Sequence, residues 1–110
     1  MTVTEFAEKY GLEQISLPCG EREITGGYVG DLLSWVMGRA QSGDAWITIM
    51  SNINIAAVAA LTDAACIIIA EGVMLDANIV ETARQKGINI LSSDRPAFEL
   101  AGLLWSGLRP

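Results

Sequence analysis

Ala45-Trp46-Ile47-Thr48-Ile49-Met50 and, further along, Cys66-Ile67-Ile68-Ile69-Ala70 are short apolar runs rich in β-branched residues. Such side chains fit a pleated, half-buried surface better than a helix, so both runs read as strands. The second is apolar at every position, the pattern of a strand covered on both faces. Between them, Asn54 to Ala64 is apolar almost all round and reads as a helix packed against the sheet. A helix is expected over Asp76 to Lys86, with Ile79, Val80 and Ala83 inward and Gly87 as its stop. Ile88-Asn89-Ile90-Leu91 is the next strand, and Pro96 sits in the first turn of a last helix running through Leu100, Leu103 and Leu104. Strand and helix alternate with short connections, which implies parallel strands joined by right-handed crossovers. The fold class is therefore α/β, a three-layer α/β/α arrangement around a mostly parallel sheet.

Outward toward the N-terminus the pattern is less regular. Thr2-Val3-Thr4-Glu5 has capping-box spacing, and Phe6, Ala7 and Tyr10 follow on one face before Gly11 ends the helix. Ile15-Ser16-Leu17 is a short strand candidate closed by Pro18. Cys19 to Gly30 holds four glycines, and turns with positive φ are expected there. From Asp31, the spacing of Leu32, Leu33, Val36, Met37 and Ala40 predicts an amphipathic helix, with the Asp31 carboxylate at its favourable end. The strand order of this half does not follow from the sequence.

The chain has 110 residues, one domain's worth over 1–110, and no internal repeat. With 51% hydrophobic and 18% charged residues it lies on the globular side of the disorder boundary. The net charge of −6 argues against nucleic acid and anionic membranes, both of which select a basic footprint. There is no histidine, which excludes Ser-His-Asp and Cys-His catalysis and histidine-ligated metals. Cys19 and Cys66 are far apart and lack C-x-x-C spacing, so no metal or redox dithiol is expected, and Cys66 reads as a small core residue. No signal peptide or membrane span is expected, because the apolar runs are too short. The setting implied is reduced, soluble and cytoplasmic. Apolar content this high, with a mean hydropathy of +0.36, predicts a homodimer through the Asp31–Ala40 helix and the helix from Asn54. Trp35, off the main stripe of the first of these, is a candidate contact.

Ligands of parallel sheets collect at the carboxyl ends of the strands. That edge offers Ser51-Asn52-Ile53-Asn54, Glu71-Gly72 and Ser92-Ser93-Asp94-Arg95, of which Asn52, Asn54, Glu71, Ser92, Ser93 and Asp94 are candidate binding residues for a small anion. Helix capping explains the same residue types, and both roles stay open. Thr25-Gly26-Gly27, read as a turn leading toward a helix, is the other candidate. The P-loop pattern G-x-x-x-x-G-K-[ST] is absent, and neither Lys9 nor Lys86 follows a glycine, so a kinase or ATPase is excluded. The carboxylates are scattered, with Glu21 and Glu23 beside Arg22 reading as a solvated loop. No catalytic residue, metal site or cofactor is expected.

The segment from Arg22-Glu23-Ile24-Thr25-Gly26-Gly27-Tyr28-Val29-Gly30-Asp31 to Leu32-Leu33-Ser34, followed by Trp46-Ile47-Thr48, resembles the DRTGG domain. Asn54, Ala57-Val58-Ala59, Ile67-Ile68-Ile69 and Glu71-Gly72 extend the likeness, which runs from about Ile15 to Gly102. The namesake pentapeptide aligns with Glu23-Ile24-Thr25-Gly26-Gly27, so Thr-Gly-Gly is kept while the arginine is replaced by Ile24. Any role of that arginine is lost here. The resemblance implies a fold similar to the N-terminal domain of HPr kinase/phosphorylase, a domain also found beside the CBS domains of some pyrophosphatases and in some phosphotransacetylases. It looks like the single-domain version of anaerobic bacteria, sometimes encoded near redox or hydrogenase genes. It implies a non-catalytic regulatory or dimerising module binding a small anionic ligand such as a nucleotide. The alternative is a pure protein-interaction subunit docking onto a larger, redox- or hydrogenase-related enzyme.

Overall fold

Three strands expected from the β-branched runs are the centre of a five-stranded sheet in the computed structural model, which describes residues 1–109. In chain order the elements are α1 (Val3–Tyr10), β1 (Glu13–Ser16), β2 (Gly26–Val29), α2 (Leu33–Arg39), β3 (Asp44–Thr48), α3 (Ile55–Thr62), β4 (Cys66–Ile69), α4 (Ala77–Gln85), β5 (Ile90–Ser92) and α5 (Ala97–Gly107). The sheet order is β1-β5-β4-β3-β2, with β2 to β5 parallel and β1 antiparallel to β5. Side chains alternate across a strand, so the apolar runs feed two cores. Trp46, Ile67 and Ile90 lie side by side on one face under α2, α3 and α4, while Ile47, Ile68 and Leu91 face α1 and α5. This is the expected α/β/α layering.

The crossover helices α2, α3 and α4 all lie on one face, whereas α5 crosses to the other and packs on β2 and β3. Asn89, fully interior at the start of β5, ties the sheet to the preceding chain. Its Oδ1 accepts the Cys19 N–H at 2.9 Å, and its Nδ2 donates to the Cys19 and Ala65 carbonyls at 2.7 and 3.0 Å. At the N-terminus the capping box forms as expected: Thr2 Oγ1 accepts from Glu5 N–H and Glu5 Oε1 from Thr2 N–H.

Several expectations are corrected. Thr25-Gly26-Gly27 is not a turn but the entry to edge strand β2. None of Gly20, Gly26, Gly27 and Gly30 has positive φ, which occurs instead at Gly11, Gly43, Gly72 and Gly87. The requirement at Gly26 and Gly27 is for space: a Cβ on Gly26 would stand 2.6 Å from the buried Asp44 carboxylate, and one on Gly27 would overlap the Leu104 side chain of α5. Asp31 does not cap α2, whose N-cap is Leu32. Its carboxylate closes the end of β3, accepting from the Thr48 hydroxyl at 2.8 Å and the Ile49 N–H at 3.0 Å. Val80 is only half-buried, and Pro96 precedes α5 as its N-cap residue. The α2 stripe is also thinner than its spacing suggests, since only Val36 is buried and Leu32 and Met37 are exposed. Among the described residues no helix is long and apolar enough to cross a membrane.

Candidate functional site

Because two glycines begin β2, helix α5 approaches this strand closely, and a groove of about 380 Å³ opens beside the contact. Its strand side is Thr25, Gly26, Gly27 and Val29 with Ile47 beneath, and its helix side is Ala101, Leu104, Trp105, Leu108 and Arg109. The volume falls within the range of small-ligand sites, roughly 300–1,000 Å³. The Thr25 hydroxyl faces the Ser42-Gly43 turn, donating to the Ser42 carbonyl at 3.5 Å. Across the groove the Arg109 guanidinium stacks 3.5 Å from the ring centroid of Trp105. Stacking on an exposed indole leaves the guanidinium N–H edges open to solvent or an anion. The sequence pointed to Thr25, Gly26 and Gly27 but not to Arg109 or Trp105. Arg109 lies two residues beyond the end of α5, where no helical periodicity announces that the chain folds it back over Trp105.

The remaining candidates lie elsewhere, in two separate places. Ser92, Ser93 and Asp94 line a second cavity of about 360 Å³ with Gly72, Glu13 and Arg95 at the carboxyl edge. Here the loop after β4 leads to α4 on one face and the loop after β5 to α5 on the other, the switch point where parallel sheets bind ligands. Glu71 stands at this edge in a left-handed conformation, with φ 63°. The backbone donors that would attract an anion are already used. Glu71 N–H binds Arg95 C=O, Gly72 N–H binds Ser93 C=O, and Ser93 N–H binds Ile69 C=O, each at 3.0 Å. The Ser93 hydroxyl accepts from Arg95 N–H at 3.1 Å. Glu13 and Asp94 make the lining acidic, while the Arg95 guanidinium donates to the Tyr10 carbonyl at 2.7 Å and pairs with Glu99 at 3.6 Å. An anion there would meet two carboxylates and a cation already committed.

Asn52 and Asn54 sit at the start of α3, apart from both cavities. Asn52 Oδ1 accepts the Asn54 N–H at 2.8 Å, a local turn leading into the helix, and the Asn54 side chain makes no capping bond. The nine sequence-named residues thus fall into three groups: Thr25, Gly26 and Gly27 in the β2–α5 groove, Glu71, Ser92, Ser93 and Asp94 at the β4–β5 edge, and Asn52 and Asn54 in the loop leading into α3.

The perturbed titratable groups have structural causes. The Glu5 carboxyl lies below the usual carboxylate range because Thr2 hydrogen-bonds to it, and Asp63 does so because Ser42 and then Arg22 donate to it. Glu81 is lowered by Arg84. Burial pushes the Cys66 thiol up to about 12, so it stays protonated and inert, as a small core residue should. Among the described residues no cluster of His, Cys, Asp or Glu could hold a metal ion.

No protein-family model and no curated sequence matches the chain. Among solved structures it is similar to the CBS and DRTGG domains of the regulatory region of Clostridium perfringens pyrophosphatase, complexed with the activator diadenosine tetraphosphate. The TM-score is 0.73 at 14% identity, over 94% of this chain and 45% of that one. At such identity the likeness concerns the fold: a DRTGG-like α/β domain spanning under half the length of that regulatory region.

Proposed function

We propose that this DRTGG-like domain is a non-catalytic regulatory module, homodimeric and cytoplasmic, that takes a small anionic ligand of the nucleotide class in the β2–α5 groove. The observation that carries the reading is the Arg109–Trp105 stack on an apolar groove floored by glycine backbone. A guanidinium recognises phosphate, an indole face accepts a base, and Val29, Ile47 and Ala101 give the groove an apolar lining for it. The polar side chains of the groove, Thr25 and Arg109, can hold an anion, but neither is a base at neutral pH, so the reading is binding without turnover. Support at the level of fold comes from the pyrophosphatase regulatory region, which is complexed with a dinucleotide activator. Thermal shift with AMP, ATP and diadenosine tetraphosphate, each at millimolar concentration, tests this. A ligand at 100 times its Kd adds about 2.7 kcal/mol, a rise of several degrees in Tm for a domain of this size. The rise is expected in the native chain and absent in Arg109→Ala. A flat response to all three, or one that survives Arg109→Ala, counts against the reading.

A second reading, a subunit docking onto a larger redox- or hydrogenase-related enzyme, draws on another feature. Leu33, Met37, Ala57, Val58 and Leu61 line a shallow apolar groove of about 290 Å³ between α2 and α3, with Leu61 72% exposed. Substituting Leu61→Lys separates the readings, since it would abolish docking through α2–α3 and leave nucleotide binding intact.

A further inference from the structure

We propose that β2 is the seam of the homodimer: two copies pair β2 with β2 antiparallel about a two-fold axis, and the sheet runs on from one copy into the other. This rests on the homodimer in the function proposed above and gives it a surface.

The two edges of the sheet differ in kind. At β1 the edge carries exposed Glu13 and Gln14, a register irregularity between Gln14 and Ser16, and Pro18 just beyond. Charge, bulge and proline are the devices that keep an edge from pairing. The β2 edge, Gly26-Gly27-Tyr28-Val29, has none of them. Its pairing to β3 reaches beyond the strand at both ends, through Thr25 N–H to Gly43 C=O at 2.9 Å and Gly30 N–H to Ile47 C=O at 3.2 Å. The register Gly27↔Ala45 and Val29↔Ile47, with the Gly30 N–H bonded to the Ile47 carbonyl, turns the amide groups of Gly27 and Val29 outward, and the Thr25 bond lies beyond a one-residue irregularity before Gly26.

Both flanks of this edge are apolar and topped by a cation. On one face α2 turns Leu33 and Met37 toward α3, which leaves Leu32 and Trp35 on its other flank, toward the free edge. Arg39 stacks 3.8 Å from the Trp35 ring centroid. On the other face α5 carries Phe98, Ala101 and Trp105 along one stripe, with Phe98 90% and Trp105 64% exposed, and Arg109 over Trp105. Two of the three tryptophans of an otherwise acidic chain are thus exposed beside one unprotected strand, each under an arginine. Trp and Arg are the residues that dominate interface energetics.

Charge selects the occupant. Helices α2 and α5 both run back from the carboxyl edge, so Arg39 and Arg109 stand toward the amino end of β2, while Asp31 follows its carboxyl end. Antiparallel pairing brings the Arg39 end of one copy against the Asp31 end of the other, twice, about the two-fold axis, and leaves Arg109 to the groove. A second copy of this chain is therefore complementary to the patch in hydrogen bonding, apolarity and charge, and the isologous contact closes at two.

Sedimentation velocity at tens of micromolar, with native chain, Val29→Lys and Leu61→Lys, tests the seam. The native chain is expected to be a dimer, Val29→Lys to dissociate at least tenfold more readily, and Leu61→Lys to match the native chain. Circular dichroism confirms that each variant is folded, and Trp35→Asp takes the place of Val29→Lys if that variant is not. A dimer that survives Val29→Lys and breaks with Leu61→Lys overturns the seam and leaves a homodimer through α2–α3. A native chain that stays monomeric overturns both the seam and the homodimer.

Discussion

Asn89 illustrates what a single residue can decide and how little of that its letter announces. In Ile88-Asn89-Ile90-Leu91 it reads as a polar position of a strand, yet it is buried and its amide serves three backbone groups. Removing it strands the Cys19 N–H and two carbonyls, each costing about 1–3 kcal/mol if left unsatisfied. Asn89→Ala is expected to lower stability by about 2–4 kcal/mol, part of the loss being recovered by water, and urea unfolding measures it. The partners lie on chain segments remote in sequence, so no local pattern could reveal them. Gly26 and Gly27 pose the same difficulty in another form. A glycine reports either a positive φ or a close approach, and only the neighbours, here Asp44 and Leu104, say which.

Among the elements, those whose signal is local were legible. The capping box of α1 is written in Thr2 and Glu5 and is present as expected. Because α1 covers one sheet face with Val3, Phe6 and Ala7, loosening its first turn weakens that core as well. Thr2→Ala should cost about 0.5–2 kcal/mol, read from a shift in urea midpoint with unchanged slope. Strands β3, β4 and β5 were legible because β-branched runs flanked by helical periodicity leave few alternatives. Strand β1 was legible as the candidate Ile15-Ser16-Leu17, though it lies two residues earlier at its start and its partner was not evident, and β2 was not legible. The former pairs antiparallel with β5, distant in the chain, and the latter is mostly glycine and tyrosine with no β-branched run. Misreading β2 as a turn also hid the groove, since its other wall is the far end of α5.

For the molecule as a whole, the loops carrying Asn52, Asn54, Glu71, Ser92, Ser93 and Asp94 do follow the carboxyl ends of the parallel strands β3, β4 and β5, but Asn52 and Asn54 do not share the cavity lined by Ser92, Ser93 and Asp94. Sequence could list polar loop residues at that edge. It could not show that the loop amides there already bond to one another, or that the cation-bearing groove forms on the opposite flank. The charge of the whole chain also has a thermodynamic consequence. Glu5, Asp63 and Glu81 are all depressed in the fold, so each stabilises it above its unfolded-state pKa and loses that contribution as pH falls through the folded value. With no histidine to titrate, stability measured by urea midpoint should be level from about pH 5 to 8 and decline below about pH 4.5. A decline that begins near pH 6.5 would contradict this.

The central claim, that the β2–α5 groove binds a nucleotide-class anion, is tested most directly by following backbone amide resonances of the isotope-labelled chain during titration with diadenosine tetraphosphate. Saturable shifts are expected at Thr25, Gly26, Gly27 and Val29 and from Ala101 to Arg109, together with the Trp105 indole N–H. Saturable shifts confined to Glu71 and Ser92–Arg95, or no shifts at millimolar ligand, would contradict it.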